Sequence, residues 1–123
     1  MRNPVVGCVI AVLGFWSGVA CAHHSFASFD MKKEMRLSGT VGEVQYTNPH
    51  AWLFIDVPTA KGATESWAIE LGSENLLLRW GWKLDTVKVG QKVVVMIHPM
   101  RDTSKRGGSL ISITLPNGRV IHG

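Results

Sequence analysis

Four histidines raise the question of chemistry. His23 and His24 are adjacent, His50 follows the turn sequence Thr47-Asn48-Pro49, and His98 precedes Pro99. Neutral imidazole is a common ligand for copper, nickel and zinc, and nitrogen-rich sites follow an affinity order that favours Cu(II). A mature chain that began at His23 would offer one ion both its terminal amine and its ring. A second imidazole would complete a three-nitrogen, T-shaped set suited to copper. His24 adds a backbone nitrogen or a ring, and Glu70 is a candidate to hydrogen-bond a ligand imidazole from behind. On this reading the metal residues are His23, His24, His50 and His98. The competing reading makes His23 and His24 a solvated chain end, with His50 and His98 donating to turn carbonyls. No His-x-His or His-x-x-x-His spacing forces a site.

The elements that must position these residues read as β-strands. Residues 35–46 alternate Leu37, Val41 and Val44 with Gly39 and Gly42 between them, the pattern of a coiling strand with a bulge or bend. Pro49 then fixes its own φ and pushes Asn48 out of the helical region, which leaves His50 at the mouth of a second strand over 51–57. In that strand Trp52 and Phe54 share one face, and Leu53, Ile55 and Val57 the other. A hairpin loop with Lys61-Gly62 at its tip leads into a third strand over 64–71, where Trp67, Ile69 and Leu71 share a face. The period then changes. Ser73 is an N-cap, Glu74 sits in the first turn, Leu76-Leu77-Leu78 form a short helix, and Gly81 is the residue past its end. Residues 91–98 form a buried strand, 99–108 a polar loop, and 109–115 a further strand. Asn117-Gly118 reads as a two-residue hairpin into a short return strand over 119–122.

Three strands, a helix and two more strands is the element order of the OB-fold. The expected architecture is therefore mainly β: a small OB-like barrel of five to six strands, with one short helix between the third and fourth. The alternative is an open β-sandwich with a helix on one edge.

The first 22 residues read as a signal peptide. Arg2 supplies the positive start, residues 5–16 an apolar run too short to span a bilayer comfortably, and Ala20-Cys21-Ala22 the small-x-small cleavage pattern. An uncleaved anchor and lipidation at Cys21 are the alternatives. Cleavage after Ala22 removes Cys8 and Cys21, leaving residues 23–123 as one barrel domain, with an N-terminal arm over 23–34 and no thiol. The expected address is periplasmic or secreted, with no membrane span after cleavage. The formal net charge of +4 is small and scattered, which argues against nucleic acid as a partner.

Other candidates are weaker. Trp52, Trp67, Trp80 and Trp82 either line a small-molecule groove or fill a barrel that lacks disulfides. Strand patterning favours the core for Trp52 and Trp67, and the helix end favours a surface cleft for Trp80 and Trp82. Arg101, Lys105 and Arg106 beside Gly107-Gly108 form a basic loop that either meets an anionic ligand or is simply solvated. Catalysis finds little support: there is no Gly-x-Ser-x-Gly elbow, and nothing pairs Asp56, Glu65 and Glu70 for acid–base work.

Several motifs occur in order: His23-His24-Ser25-Phe26, Phe29-Asp30, Thr47-Asn48-Pro49-His50-Ala51-Trp52, Trp67-Ala68-Ile69-Glu70, Gly81-Trp82, His98-Pro99 and Gly107-Gly108-Ser109-Leu110. Together they resemble exported bacterial proteins of the DUF6152 family, over nearly the whole chain past residue 22. The resemblance implies a small, secreted or periplasmic, single-domain protein. It brings no activity and names no ligand. The expected function is that of an exported, non-enzymatic binding protein, taking copper or another divalent transition metal through His23 and nearby histidines. Asn48, Glu70, Trp80 and Trp82 would stand behind the metal-binding rings or line the cleft. The alternative is an OB-like module that binds a protein, peptide or small ligand without metal. The sequence assigns no oligomeric state.

Overall fold

The turn and bulge residues set where this chain reverses. In the computed structural model, which describes residues 27–123, β1 (Met35–Gln45), β2 (Trp52–Pro58) and β3 (Thr64–Glu70) form an antiparallel meander. A short helix α1 (Glu74–Arg79) follows, then β4 (Lys92–Pro99), β5 (Gly107–Thr114) and β6 (Val120–His122). The register of β1 against β2 shifts between Val41 and Glu43, so Gly42 is the extra residue of a bulge. The bulge lets one long strand pair with β2 at its far end and with β4 at its near end, where Met35 faces Ile97.

Closure comes from a parallel pairing. Ala68, Ile69 and Glu70 of β3 lie beside Gly107, Gly108 and Ser109 of β5, while β5 also pairs antiparallel with β4. The circuit β1-β2-β3-β5-β4-β1 is a closed five-stranded barrel, and β6 extends the sheet from β5. This is the OB arrangement that the element order implied, and the open sandwich is not formed. Glycine is required at the seam. A Cβ on Gly107 would stand 2.8 Å from the Ala68 carbonyl oxygen, and one on Gly108 2.6 Å from that of His98. β3 at Gly107 and β4 at Gly108 approach β5 more closely than a side chain allows.

The barrel interior holds Leu53, Ile55, Ile69, Val95, Ile97 and Ile113, all fully buried. They alternate with outward residues at the period of two that the strands showed. Each contributes roughly 1.5–3 kcal/mol of burial. Leu77 brings α1 onto this core. The helix starts as expected, with the Leu76 N–H donating to Ser73 Oγ at 3.2 Å, and ends at Trp80 before Gly81, whose φ is +90°.

One turn differs. Asn117-Gly118 was expected as a two-residue hairpin, but the Gly118 N–H donates to the Leu115 carbonyl and the Leu115 N–H to Arg119. Of the pair, only Gly118 takes positive φ. Pro116 fixes a negative φ suited to the first central position of a type I turn, so the connection is three residues long, with Gly118 in the left-handed region. The expected leader over 1–22 and the histidines His23 and His24 lie outside the described residues.

Shortening the core and crowding the seam give separable tests. In urea unfolding followed by tryptophan fluorescence, Ile69→Ala should lose about 3 kcal/mol through the cavity it leaves. Gly107→Ala should lose roughly 1–3 kcal/mol through overpacking of the β3–β5 seam.

Candidate functional site

Strand register gathers one set of side chains on the outer wall of the barrel. Trp52 faces Glu70, Glu70 lies beside Ser109, and Ser109 faces His98, a row across β2, β3, β5 and β4. Glu70 is the buried charged residue of the described chain, at 9 % exposure. A carboxylate taken that far from water needs polar company.

His50 provides it. The β1–β2 turn, with a cis Asn48–Pro49 peptide, returns the chain so that the Ala51 N–H donates to Gly72 and the Leu71 N–H to Ala51. This carries the imidazole past the end of β3. Its Nδ1 lies 3.3 Å from the Leu71 carbonyl oxygen and 3.1 Å from Glu70 Oε1. A carbonyl can only accept, so Nδ1 carries the hydrogen and donates. The ring is then fixed in one orientation, and in the neutral imidazole the lone pair is on Nε2. Thr47 Oγ1 donates to the His50 carbonyl at 2.6 Å and steadies the turn.

His50, Glu70 and Trp80 line a cleft of about 370 Å³ between the barrel wall and α1, with Phe29 and Pro49 on its rim. Trp80 is half exposed there, as the sequence led one to expect. Phe29 is itself buried and bridged to Met100, just past the end of β4. A second, largely apolar cleft of about 280 Å³ lies on the other side of Phe29, between Trp52, Met100 and Gly107.

Two expected tryptophan placements change. Trp82 is not a cleft residue: it is 2 % exposed in the core, and its Nε1–H donates to the His122 carbonyl at 2.7 Å. Gly81 reverses the chain after α1 and turns the next side chain inward. Trp52 is not a core residue, because it sits on the outward parity of β2 and stays half buried. Trp67 alone fills the interior as expected. Asn48 is exposed in the turn.

His98 does not join His50. Its Nδ1 lies 2.8 Å from the Lys33 carbonyl oxygen, again an acceptor, so the ring ties the N-terminal arm to β4. Two strand spacings separate its place in the row from Glu70, on the order of 10 Å. The same arm is stitched down by the Asp30 N–H to the Pro99 carbonyl at 2.8 Å and the Arg101 N–H to that of Ser28 at 2.9 Å. Among the described residues, no group of three or more His, Cys, Asp or Glu side chains comes together. Nor is any helix among them long and apolar enough to cross a membrane.

Residues 12–109 match a family described as a family of unknown function, DUF6152. The chain belongs to the DUF6152 family. No curated protein matches it. Among solved structures, it is similar to the mitochondrial single-stranded DNA binding protein Rim1 of S. cerevisiae. The first crystal form gives 16 % identity and a TM-score of 0.53, over 74 % of this chain and 96 % of that one. The second crystal form gives 17 % identity and a TM-score of 0.49, over 74 % and 97 %. At that identity the first likeness describes the OB barrel alone, and it agrees with the strand circuit above.

The structural role of His98 can be checked directly. His98→Ala should lose about 1 kcal/mol of stability. It should also speed amide exchange at Asp30 in the arm, with exchange at Ile69 in the barrel rising only by the global loss. Unchanged protection at Asp30 would remove the Lys33 contact from the account.

Proposed function

We propose that this DUF6152 member is an exported, non-enzymatic binding protein that takes a divalent transition metal, with copper the expected ion, at His50. The observation that carries this reading is the orientation of one ring. His50 Nδ1–H is held by Leu71 and Glu70, which leaves Nε2 as a pre-set ligand in a cleft large enough for other donors. A carboxylate or carbonyl behind the ring raises its basicity and fixes its tautomer, the usual support for a metal-bound histidine.

The other ligands are His23 and His24. Phe29 lies on the cleft rim, and the six residues back to His23 can reach roughly 20 Å at full extension, enough to bring a terminal amine and imidazole to His50. Three nitrogens without thiolate suit Cu(II). The chemistry asked of the chain is capture: it binds an ion and orients it. Export is part of the same reading, because removal of residues 1–22 creates the amine at His23. His98 contributes by anchoring the arm.

The metal-free alternative, an OB-like module for a peptide or small ligand, draws on the apolar cleft beside Trp52 and Phe29. Nucleic acid is a poorer fit to a chain whose formal net charge of +4 is small and scattered.

The test is a Cu(II) titration of protein whose mature terminus is verified by mass spectrometry. One-to-one binding is expected. Loss of at least tenfold in affinity with His50→Ala, and roughly 10–100-fold with Glu70→Gln, would follow from the orientation argument. An extra residue before His23 should abolish the tight site. Unchanged affinity in His50→Ala would sink the proposal. In that case, saturable binding of a peptide library to the Trp52 face without metal would leave the alternative.

A further inference from the structure

A separate feature lies where β3 runs past the start of β5. Residues 64–67 of β3 have no β5 partner, because β5 begins at Gly107 beside Ala68. The β4–β5 loop crosses that gap and is built rather than loose. Asp102 Oδ1 accepts from the backbone and hydroxyl of Ser104 at 3.0 and 2.6 Å. Arg106 Nε donates to Glu65 Oε2 at 3.0 Å, and its Nη1 to the Thr103 carbonyl at 3.1 Å.

Beneath the loop is a cleft of about 220 Å³ walled by Trp67. The Arg106 guanidinium lies 5.8 Å from the centre of the Trp67 ring. Trp67 is 91 % buried, and its Nε1–H has no acceptor among the described residues. A buried N–H is almost always partnered, and one left bare carries a desolvation penalty. An acceptor from outside the chain is the economical completion.

The surroundings say which acceptor. The cleft is lined by the cations Lys33, Arg101, Lys105 and Arg106 against one acid, Asp30. The Lys32 backbone N–H and nearby Lys33 hold Asp30 below the ordinary carboxylate range, so it stays ionised, and Lys33 pairs with it at 3.5 Å. Arg106 is engaged by Glu65, and Arg101 Nε by the Ala27 carbonyl at 3.0 Å. That leaves the outer guanidinium nitrogens of Arg101 and the Lys105 ammonium as the charge the cleft presents. The space is below the range typical of drug-sized ligands.

We propose that the cleft under the β4–β5 loop binds a small oxyanion, a carboxylate or phosphate group, with one oxygen accepting from Trp67 Nε1–H and its charge met by Arg101 and Lys105. An indole N–H is a donor only, and a charged acceptor makes the stronger bond. The site is independent of His50 and needs no metal.

The indole resonance of Trp67 reads this contact directly. The full chain, labelled with ¹⁵N and assigned by triple-resonance methods, is titrated with sodium acetate and with sodium phosphate against sodium chloride at equal ionic strength. The expected result is a saturable downfield shift of the Trp67 indole N–H with acetate, phosphate or both. The apparent affinity should weaken about tenfold in Lys105→Gln and in Arg101→Gln, the loss of one charged contact. A shift with acetate alone assigns a carboxylate, and one with phosphate alone assigns a phosphate. No shift with either, or an equal shift with chloride, overturns the proposal. A response unchanged in both variants does so as well. Both substituted side chains are exposed on the loop, and the dispersion of the other amides verifies that the variants are folded.

Discussion

The parallel seam between β3 and β5 is the constraint on which the rest depends. Two strands that are not neighbours in sequence must lie within hydrogen-bonding distance, and glycine at position 107 is what permits it, since a methyl group there would meet the Ala68 carbonyl oxygen at 2.8 Å, while Gly108 allows the same close approach on the other side, to the His98 carbonyl of β4 at 2.6 Å. Once the seam forms at residues 68–70 and 107–109, the strand circuit is closed, and one face of each strand covers a core without disulfides among the described residues. The same register sets Glu70 beside Ser109 and opens the gap beneath the β4–β5 loop.

The outer wall inherits its polarity from that geometry. Glu70 falls on the outward parity of β3, yet the returning β1–β2 turn and the crossing arm bury it. Its ionisable oxygen finds the His50 ring at 3.1 Å, and the ring is pinned between carboxylate and carbonyl. His98 is pinned in the same manner, but to the arm. Two histidines with similar sequence surroundings, each at a strand end beside a proline, thus take different parts. One faces a cleft, and the other is a fastener.

Residue pattern revealed much of this. Period-two alternation marked β2 and β3, the change of period marked α1, and Gly39 with Gly42 marked a bulge or bend in β1, which the register places at Gly42. The tryptophans were harder to read. Trp82 follows a glycine with positive φ, and nothing local says which way the chain leaves such a residue, so its burial against the His122 carbonyl was hidden. Trp52 shares a strand with core residues but stands on the other face, a distinction visible in its parity and outweighed by its size. The Asn117-Gly118 pair was overridden by Pro116, whose fixed φ selects a different turn. The orphaned Trp67 N–H left no trace in the sequence, because satisfaction of a donor is a matter of neighbours.

What the sequence determined on its own is the set of local decisions: where strands begin and break, the cap at Ser73, the family, and the mainly β character. Each follows from dihedral preference or from hydrophobic period, which operate over a few residues. Only the tertiary structure decided which strand ends meet, that Glu70 is buried against His50, that His98 holds the arm, and that four cations line one cleft with the Trp67 indole. Those outcomes depend on register between strands dozens of residues apart, fixed by close backbone approach at Gly107 and Gly108, and no short window of sequence encodes a register.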